Sequence, residues 1–381
     1  MQQSSLPSAS ALRTIDELGD LPNGPIRLIR LPGVVGITDA HSALSTALLG
    51  TKPARSLVIG PGAVATAAWL TRDGFELHHV TDSAAEAMSL AMTLEHNELP
   101  TVPSTCEWTP LGRRDFALAV VHLPRGRALQ RAYLLFAAYH LRAGGRLLFV
   151  GAKNEGVKTA VKDATRDLGQ AGVITRKGGF HVAMSYRSTK PLPPPELKFE
   201  AHDLEVAGQK TQLIACAGVF APDRLDSGAA ALIEGMRVAA GDRVLDIGCG
   251  SGLVTLTAAR RGAHISASDV SYRAVASTRR TLGANGFTAQ SILHCPGASA
   301  FPASSQDIVV SNPPFHRGHD ISFEVSQLFV AEAARVLTPQ GQLFLVANRF
   351  LDYRQWLVKH FSTVEIVLEN SQFRVWQARG S

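Results

Sequence analysis

The sequence predicts an α/β protein built from two similar domains in tandem, each a mostly parallel sheet with helices on both faces. Three observations carry this expectation. Strand-like apolar runs alternate with helix-like runs along the whole chain, the pattern of βαβ units. The same series of segments occurs twice at a spacing of about 190 residues, too long for a solenoid repeat and therefore the mark of a duplicated domain. A proline-rich stretch, Ser188–Glu196 (STKPLPPPE), separates the copies; its prolines fit neither a helix nor a central strand and favour an extended spacer. The expected organisation is residues 1–187, a linker at 188–196, and residues 197–381.

Taken in order, each copy shows a short apolar strand, a glycine turn and a helical run: RSLVIGPGAVATAAWL (Arg55–Leu70) and RVLDIGCGSGLVTLTA (Arg243–Ala258). A second apolar strand follows, AVVHLPRG (Ala119–Gly126) and IVVSNPPFHRG (Ile308–Gly318), then a third, LRAGGRLLFVGAKN (Leu141–Asn154) and LTPQGQLFLVANRF (Leu337–Phe350). Each copy closes with two strand-like runs on a short loop, GVITRKGGFHVAMSYR (Gly172–Arg187) and TVEIVLENSQFRVWQAR (Thr363–Arg379). A loop that short joins antiparallel strands, so each sheet should carry one reversed strand near its end. Between the copies, Leu197–Phe220 alternates and turns at Ala-Gly-Gln, which predicts a β-hairpin introducing the second domain.

Composition limits the function classes. Hydrophobic residues make up 45% and charged residues 18% of 381, as in packed globular proteins and unlike disordered chains. The longest apolar run, Tyr133–Leu141, contains His140 and lies between Arg131 and Arg142, far short of the ~20 residues that span a bilayer. The N-terminus lacks the basic-then-apolar pattern of a signal peptide. The cysteines, Cys106, Cys216, Cys249 and Cys295, form no C-x-x-C pair, which argues against a disulfide framework or a zinc site and fits a reducing cytosol. The expectation is a cytoplasmic protein with no membrane and no metal. It is also expected to be a monomer, since a duplicated chain forms its own internal pseudo-dimer. Charge is uneven: residues 1–190 hold 21 Lys and Arg against 15 Asp and Glu, a net of +6, whereas residues 191–381 hold 17 of each. A basic module beside a neutral one suggests a polyanionic partner for the first half.

The strongest motif is Asp246-Ile247-Gly248-Cys249-Gly250-Ser251-Gly252, between a strand and a helix. Its glycines let the backbone turn sharply and bring helix N–H groups close to a ligand. A dinucleotide fingerprint would need its third glycine at Leu253. The leading acid suits a ligand with a cationic ammonium group, as in S-adenosylmethionine (SAM). Asp269, 19 residues after Gly250 and at the end of the next strand, is placed to take the ribose hydroxyls. Cys249 has no base placed beside it and reads as a small loop residue. The second motif, Asn312-Pro313-Pro314-Phe315, follows the strand DIVVS, 64 residues after Gly248. Its prolines stiffen the loop and leave carbonyls free to accept. The Asn312 side-chain oxygen and the Pro313 carbonyl can accept both hydrogens of an exocyclic amine, and Phe315 offers a face for stacking. His316, Arg317 and His319 are as well explained as a solvated loop.

GVFAPDRLDSG, VLDIGCGSG, SDVSYRAVASTRRTLGANG, DIVVSNPPFHRG and VANRFLDY together resemble the RsmC/RlmG family of ribosomal RNA guanine-N2 methyltransferases. The resemblance is dense over Gly218–Arg379 and weaker through the first half, where GGRLLFVGAKNEG is clearest. It implies two tandem class I methyltransferase folds, Rossmann-like, each with a mostly parallel seven-stranded sheet and only the C-terminal copy catalytic. It also implies SAM bound by Asp246, Gly248, Cys249, Gly250, Gly252 and Asp269, a flipped guanine held by Asn312 to Phe315, and Phe220 and Asp226 near the cofactor. The segment Leu293–Ser299 (LHCPGAS) lacks the acid or amide that often contacts adenine, so backbone groups are expected to take that role. In the first half, Val58 stands for Asp246, Val64 for Gly252 and Leu123 for Asn312, the pattern of a catalytically dead copy. Arg113, Arg114, Arg125, Arg127, Arg131, Lys153 and Lys158 cluster near the lost site and are candidates for RNA phosphate contacts. The implied acceptor is ribosomal RNA or a ribosomal subunit, with the small subunit favoured. Large-subunit RNA, a protein glutamine, a DNA amine, and a non-catalytic SAM- and RNA-binding assembly factor stay open on the sequence alone.

Overall fold

The computed structural model describes residues 13–19, 21, 23–314 and 320–380. The chain divides into two compact units, one spanning Arg13–Leu197 and the other including Lys198–Ser381. Residues 187–198 contain no helix or strand. Leu192 and Leu197 nevertheless pack against the core of the first unit, so the proline-rich stretch is partly docked.

The first unit opens with a hairpin of β1 (Thr14–Leu18) and β2 (Ile26–Arg30), which composition and turn signals did not announce. There follow α1 (Asp39–Leu48), β3 (Arg55–Ile59), α2 (Ala63–Arg72), β4 (Glu76–Val80), α3 (Ala84–His96), β5 (Ser104–Thr105), β6 (Phe116–His122) and α4 (Arg127–His140). The unit ends with β7 (Leu141–Ala152), α5 (Val157–Leu168), β8 (Ala171–Lys177) and β9 (Phe180–Tyr186). The sheet order is β5-β4-β3-β6-β7-β9-β8, parallel except that β9 runs antiparallel to β7 and β8. The central strands are buried on both faces, as continuous runs such as LVI and LAVV require. Val58, Val120 and Leu148 face one layer of helices, while Leu57, Ala119, Val121 and Phe149 face the other.

The second unit repeats this plan. It contains β10 (Phe199–Val206), β11 (Gln209–Cys216), α6 (Ser227–Gly235), β12 (Arg243–Ile247), α7 (Leu253–Arg260), β13 (His264–Asp269), α8 (Tyr272–Ala284) and β14 (Ser291–His294). After these come β15 (Gln306–Ser311), α9 (Asp320–Val336), β16 (Leu337–Asn348), α10 (Arg354–Leu357), β17 (Thr363–Glu369) and β18 (Phe373–Arg379). The order β14-β13-β12-β15-β16-β18-β17 matches the first sheet strand for strand. β10 and β11 pair from Val206 with Gln209 across Ala207 and Gly208, both at positive φ. That is the backbone a two-residue hairpin turn demands.

Each hairpin is fastened to a helix by the same polar ladder. In the second unit, Ser277 Oγ accepts from Cys216 N at 3.3 Å, Thr281 Oγ1 from Ile214 N at 3.1 Å, and Asn285 Oδ1 from Gln212 N at 3.2 Å. In the first unit, Ser89, Thr93 and Asn97 accept from Leu31 N, Ile29 N and Arg27 N at 3.1, 3.0 and 3.0 Å. Side chains four apart share one helix face and so present a row of acceptors to one strand edge. The duplication therefore includes the hairpins.

No helix among the described residues is long and apolar enough to cross a membrane.

Candidate functional site

In the second unit the order β13-β12-β15 places three strand ends side by side where the connections reverse direction, the place where doubly wound sheets bind ligands. Each strand delivers one predicted element there. The glycine loop follows β12, Asp269 ends β13, and Asn312 follows β15. Ser311 Oγ donates to Ile247 O at 2.8 Å and ties the second loop to the first.

The glycines have separate roles. All three take positive φ: +80° at Gly248, +55° at Gly250 and +88° at Gly252. A Cβ on Gly248 would lie 3.0 Å from the Phe329 ring, and one on Gly252 would lie 3.0 Å from Thr278 Cα, so these two let protein pack closely. Around Gly250 the space is open, which leaves room for a ligand against the backbone. Gly252 caps α7 without a side-chain acceptor, so the first-turn amides there are available to a polar ligand. Asp269 holds the loop in place: Oδ2 accepts from Gly250 N at 3.0 Å and Oδ1 from Ser271 N at 2.9 Å.

Asp246 is buried on β12 and accepts from Thr255 Oγ1 at 2.6 Å. Burial pushes its carboxyl up to about 7, against the Thr255 hydrogen bond and aided by the nearby charge of Asp269. A buried acid with one neutral partner is stabilised in its charged form by a cation, which fits an ammonium-bearing ligand. Cys249 is also buried; Thr278 Oγ1 donates to its sulfur at 3.2 Å, and burial raises its thiol well above the usual range. A thiol so placed is held in its protonated form, as fits a small loop residue.

Asn312 Nδ2 donates to Asp226 Oδ2 at 3.1 Å, leaving Oδ1 as the amide's acceptor. Asp226 is the N-cap of α6, its Oδ2 accepting from Gly228 N at 3.0 Å and Ala229 N at 3.1 Å. A side chain at Gly228 would lie 3.1 Å from Asn312 Oδ1, so that glycine gives the amide its room. Pro313 is buried and Pro314 exposed. Phe315, His316, Arg317 and His319 lie outside the described residues. Phe220 precedes α6 in the chain and is 63% exposed. In Leu293–Ser299, Cys295 N donates to Asp269 O at 3.0 Å and the His294 ring meets Val270 O at 2.8 Å. Thr255, Thr278 and Gly228 were missed by sequence reasoning, because single Thr and Gly residues on helices carry no signal until the fold brings them to the loop. A cavity of about 780 Å³ lined by Met236, Asp242, Asp307 and Gln342 opens at the opposite end of the strands, beside the starts of β12, β15 and β16 and away from these groups.

The first unit corrects two pairings. Sheet register sets Ile59 beside Val121 and Ile247 beside Ser311, so the residue at the place of Asn312 is His122, not Leu123. Likewise α2 begins directly after Gly62, its αL cap, as α7 begins after Gly252. Gly62 is thus the counterpart of Gly252, and Val64 lies inside the helix. The loop is two residues shorter and the helix two residues longer. Val58 does occupy the place of Asp246. Thr81 stands at the place of Asp269, and Glu86 reaches over to accept from Gly62 N at 2.8 Å and from Thr81 Oγ1 at 2.5 Å. His122 meets Thr66 at 2.9 Å, and His41 meets Gly62 O at 3.1 Å. The loop's polar groups are taken up by the unit's own buried side chains.

The arginines of the first unit are largely paired. Arg125 meets Glu155 and Arg127 meets Asp163 at 2.8 Å, Arg131 meets Asp167 at 2.6 Å, and Arg113 meets Asp115 at 3.4 Å. Arg114 lies over the Tyr139 ring at 3.7 Å. Lys153 and Lys158 are exposed and form no ion pair among the described residues.

Comparison with known proteins adds independent findings. A family model described as "Methyltransferase small domain" matches residues 210–377. The "Ribosomal RNA small subunit methyltransferase C" of Hahella chejuensis is 31% identical over 342 residues, covering 86% of this chain and 95% of the relative. That of Chromohalobacter salexigens is 34% identical, covering 68% and 77%. A solved structure, the T. thermophilus 16S rRNA N2 G1207 methyltransferase (RsmC) in complex with AdoMet and guanosine, aligns with a TM-score of 0.82 at 29% identity, over 97% of this chain and 98% of that one.

Proposed function

The chain belongs to the ribosomal RNA small subunit methyltransferase C family, and from that premise we propose how its second unit methylates the 2-amino group of a guanine in small-subunit ribosomal RNA. SAM supplies an electrophilic methyl group on a sulfonium leaving group. The residues present fit it: an open approach at Gly250, an uncapped α7 N-terminus, a buried acid at Asp246 and a second acid at the end of β13.

The observation that carries the mechanism is the Asp226–Asn312 hydrogen bond. Asp226 fixes the amide so that Oδ1 accepts one hydrogen of the guanine amine, while the Pro313 carbonyl accepts the other. With both N–H bonds engaged, the nitrogen lone pair is turned toward the methyl donor. Positioning of this kind supplies most of the rate where the leaving group is already good. Pro313 and Pro314 hold the loop rigid, and Phe315 stacks on the base. Asp246 and the glycine loop hold the amino-acid end of SAM, Asp269 takes the ribose, and Phe220 covers the ligand. Asp226, placed near the cofactor by resemblance, acts here as a positioning residue. A guanine in a helix hides its 2-amino group, so the nucleotide is flipped into the site at a cost of a few kcal/mol. The first unit, with its loop shortened and filled, binds RNA and no cofactor. The protein works as a monomer in the cytoplasm.

Asn312→Ala tests the assignment. It should lower kcat roughly 100-fold or more, the size of effect expected when one preorganised group is lost, with SAM affinity nearly unchanged. Wild-type turnover in that variant would overturn the amine-holding role.

A further inference from the structure

The duplication supplies an internal comparison at the far side of each sheet. In the second unit, Arg349 follows β16, Arg374 lies on β18, and Glu369 faces Arg374 from β17. The Glu369 carboxylate accepts from both guanidinium groups, at 2.8 Å from Arg349 Nε and 3.1 Å from Arg374 Nε. Sheet register fixes the same three positions in the first unit as Lys153, His181 and Arg176. Lys153 N donates to Gly179 O at 2.9 Å as Arg349 N donates to Gln372 O at 2.8 Å, so the turns correspond as well. The acid between two cations has become an arginine.

Among the described residues of the first unit, no carboxylate pairs with these cations in its place. Among the described residues, neither Lys153, Lys158 nor Arg176 forms an ion pair; the nearby Glu155 is held by Arg125, and Asp39 packs over Gly178 in the β8–β9 turn. His181 is 8% exposed, and its Nδ1 is buried without a hydrogen-bond partner. Like Ala183 two residues on, it faces the layer containing α5. Lys158 stands in the first turn of α5, whose N-cap, Gly156, offers no side-chain acceptor. Arg176, Lys158 and Lys153 all act on the His181 ring, holding its pKa below the usual value after the larger effect of burial. A helix N-terminus, surrounding cations and an unsatisfied buried ring nitrogen together make a seat for an anion with several acceptor oxygens.

We propose that Lys153, Lys158, Arg176 and His181 form a phosphate site that takes a backbone phosphate of the RNA, in place of the carboxylate that Glu369 provides in the second unit. This rests on the RNA acceptor proposed above. Arg176 and His181 were not among the sequence candidates, and the paired arginines Arg125, Arg127 and Arg131 are left outside the site.

Arg176→Glu restores the second unit's arrangement and is the direct test, made in the full-length protein. Binding of a labelled small-subunit RNA is measured against salt, with Arg176→Gln as the milder variant. Arg176→Glu should bind about ten-fold more weakly and lower the slope of log K against log salt by about one, with Arg176→Gln intermediate. SAM affinity and the melting temperature should not change. In parallel, inorganic phosphate is titrated while the His181 ring resonances are followed by NMR; they should move in the wild type and stay fixed in Arg176→Glu. Wild-type affinity and salt slope in Arg176→Glu would overturn the proposal whatever the titration shows. If the wild-type protein binds no RNA and transfers no methyl group, the functional reading fails, and the titration alone decides the site: a fixed His181 resonance overturns it and a moving one upholds it.

Discussion

Asp226 joins two jobs in one carboxylate, since Oδ2 caps α6 and accepts from Asn312. Asp226→Ser separates them. Serine is as good an N-cap, so the melting temperature should hold within about a degree or two, yet the short hydroxyl cannot fix the amide and kcat should fall. An unchanged kcat would detach Asp226 from the chemistry. Asp246 gives a pH prediction. Its carboxyl is raised to about 7 in the fold, above its unfolded value, so between about pH 4 and 7 the folded state keeps a proton that the unfolded chain has released. Its contribution to the ligand-free protein is therefore destabilising as pH rises through that window, and constant above it. A cationic ligand favours the ionised form, so SAM affinity should rise with pH up to about 7 and then level off. Asp246→Asn should abolish that rise and make the ligand-free protein more stable at pH 8, as read by calorimetry and thermal melting. At this scale the glycine loop, Asp269 and Asn312 were legible as neighbours, because each motif ends its own strand and the structure sets those strand ends side by side. The sequence was misleading where two alignments compete. Pairing Leu123-Pro124 with Asn312-Pro313 matched the wrong proline, and only the hydrogen-bond register between β3 and β6 puts His122 at the place of Asn312.

The strands and helices follow from pattern more directly than the site does. Apolar runs such as DIVVS and LAVV are covered on both faces, and the closing strand pairs turn back on short loops, so the sheets could be read in order. The first hairpin could not. β1 and β2 are short and partly exposed, and their evidence is a helix away, in the spacing Ser89-Thr93-Asn97 that recurs as Ser277-Thr281-Asn285. These ladders make a prediction at the level of the element. Thr281 Oγ1 accepts from Ile214 N at 3.1 Å and donates to Ile214 O at 3.2 Å, and Thr93 does the same for Ile29 at 3.0 and 3.4 Å. Replacing either threonine with the near-isosteric valine leaves a strand N–H and C=O without partners. Each change should cost about 1–3 kcal/mol of stability, measured by denaturant unfolding. A loss below about 0.5 kcal/mol would mean that apolar packing alone fastens the hairpin.

The whole molecule pairs two copies of one fold that have diverged in what their loops hold. In the second unit, the loop leaves open space at Gly250, whose N–H is held by Asp269. In the first, Glu86 and His41 bind the equivalent loop, and burial pushes the Glu86 carboxyl up to about 7. The charge surplus of +6 lies in residues 1–190 and none in 191–381, which fits the proposal that the first unit holds a polyanion and the second reacts with it. Duplication was legible because both copies keep the same apolar strands. The filling of the first site was not, because Glu86 and His41 come from helices distant in sequence from the glycines that they meet. The central claim is methyl transfer to one guanine of the small-subunit RNA. Its most direct test incubates the protein and labelled SAM with small subunits, large subunits and naked ribosomal RNAs from a strain lacking the gene, then maps the label after nuclease digestion. The account predicts label on a single guanine of the small-subunit RNA, at its 2-amino group. Label on large-subunit RNA or protein, or none on any RNA while SAM still binds, would contradict it.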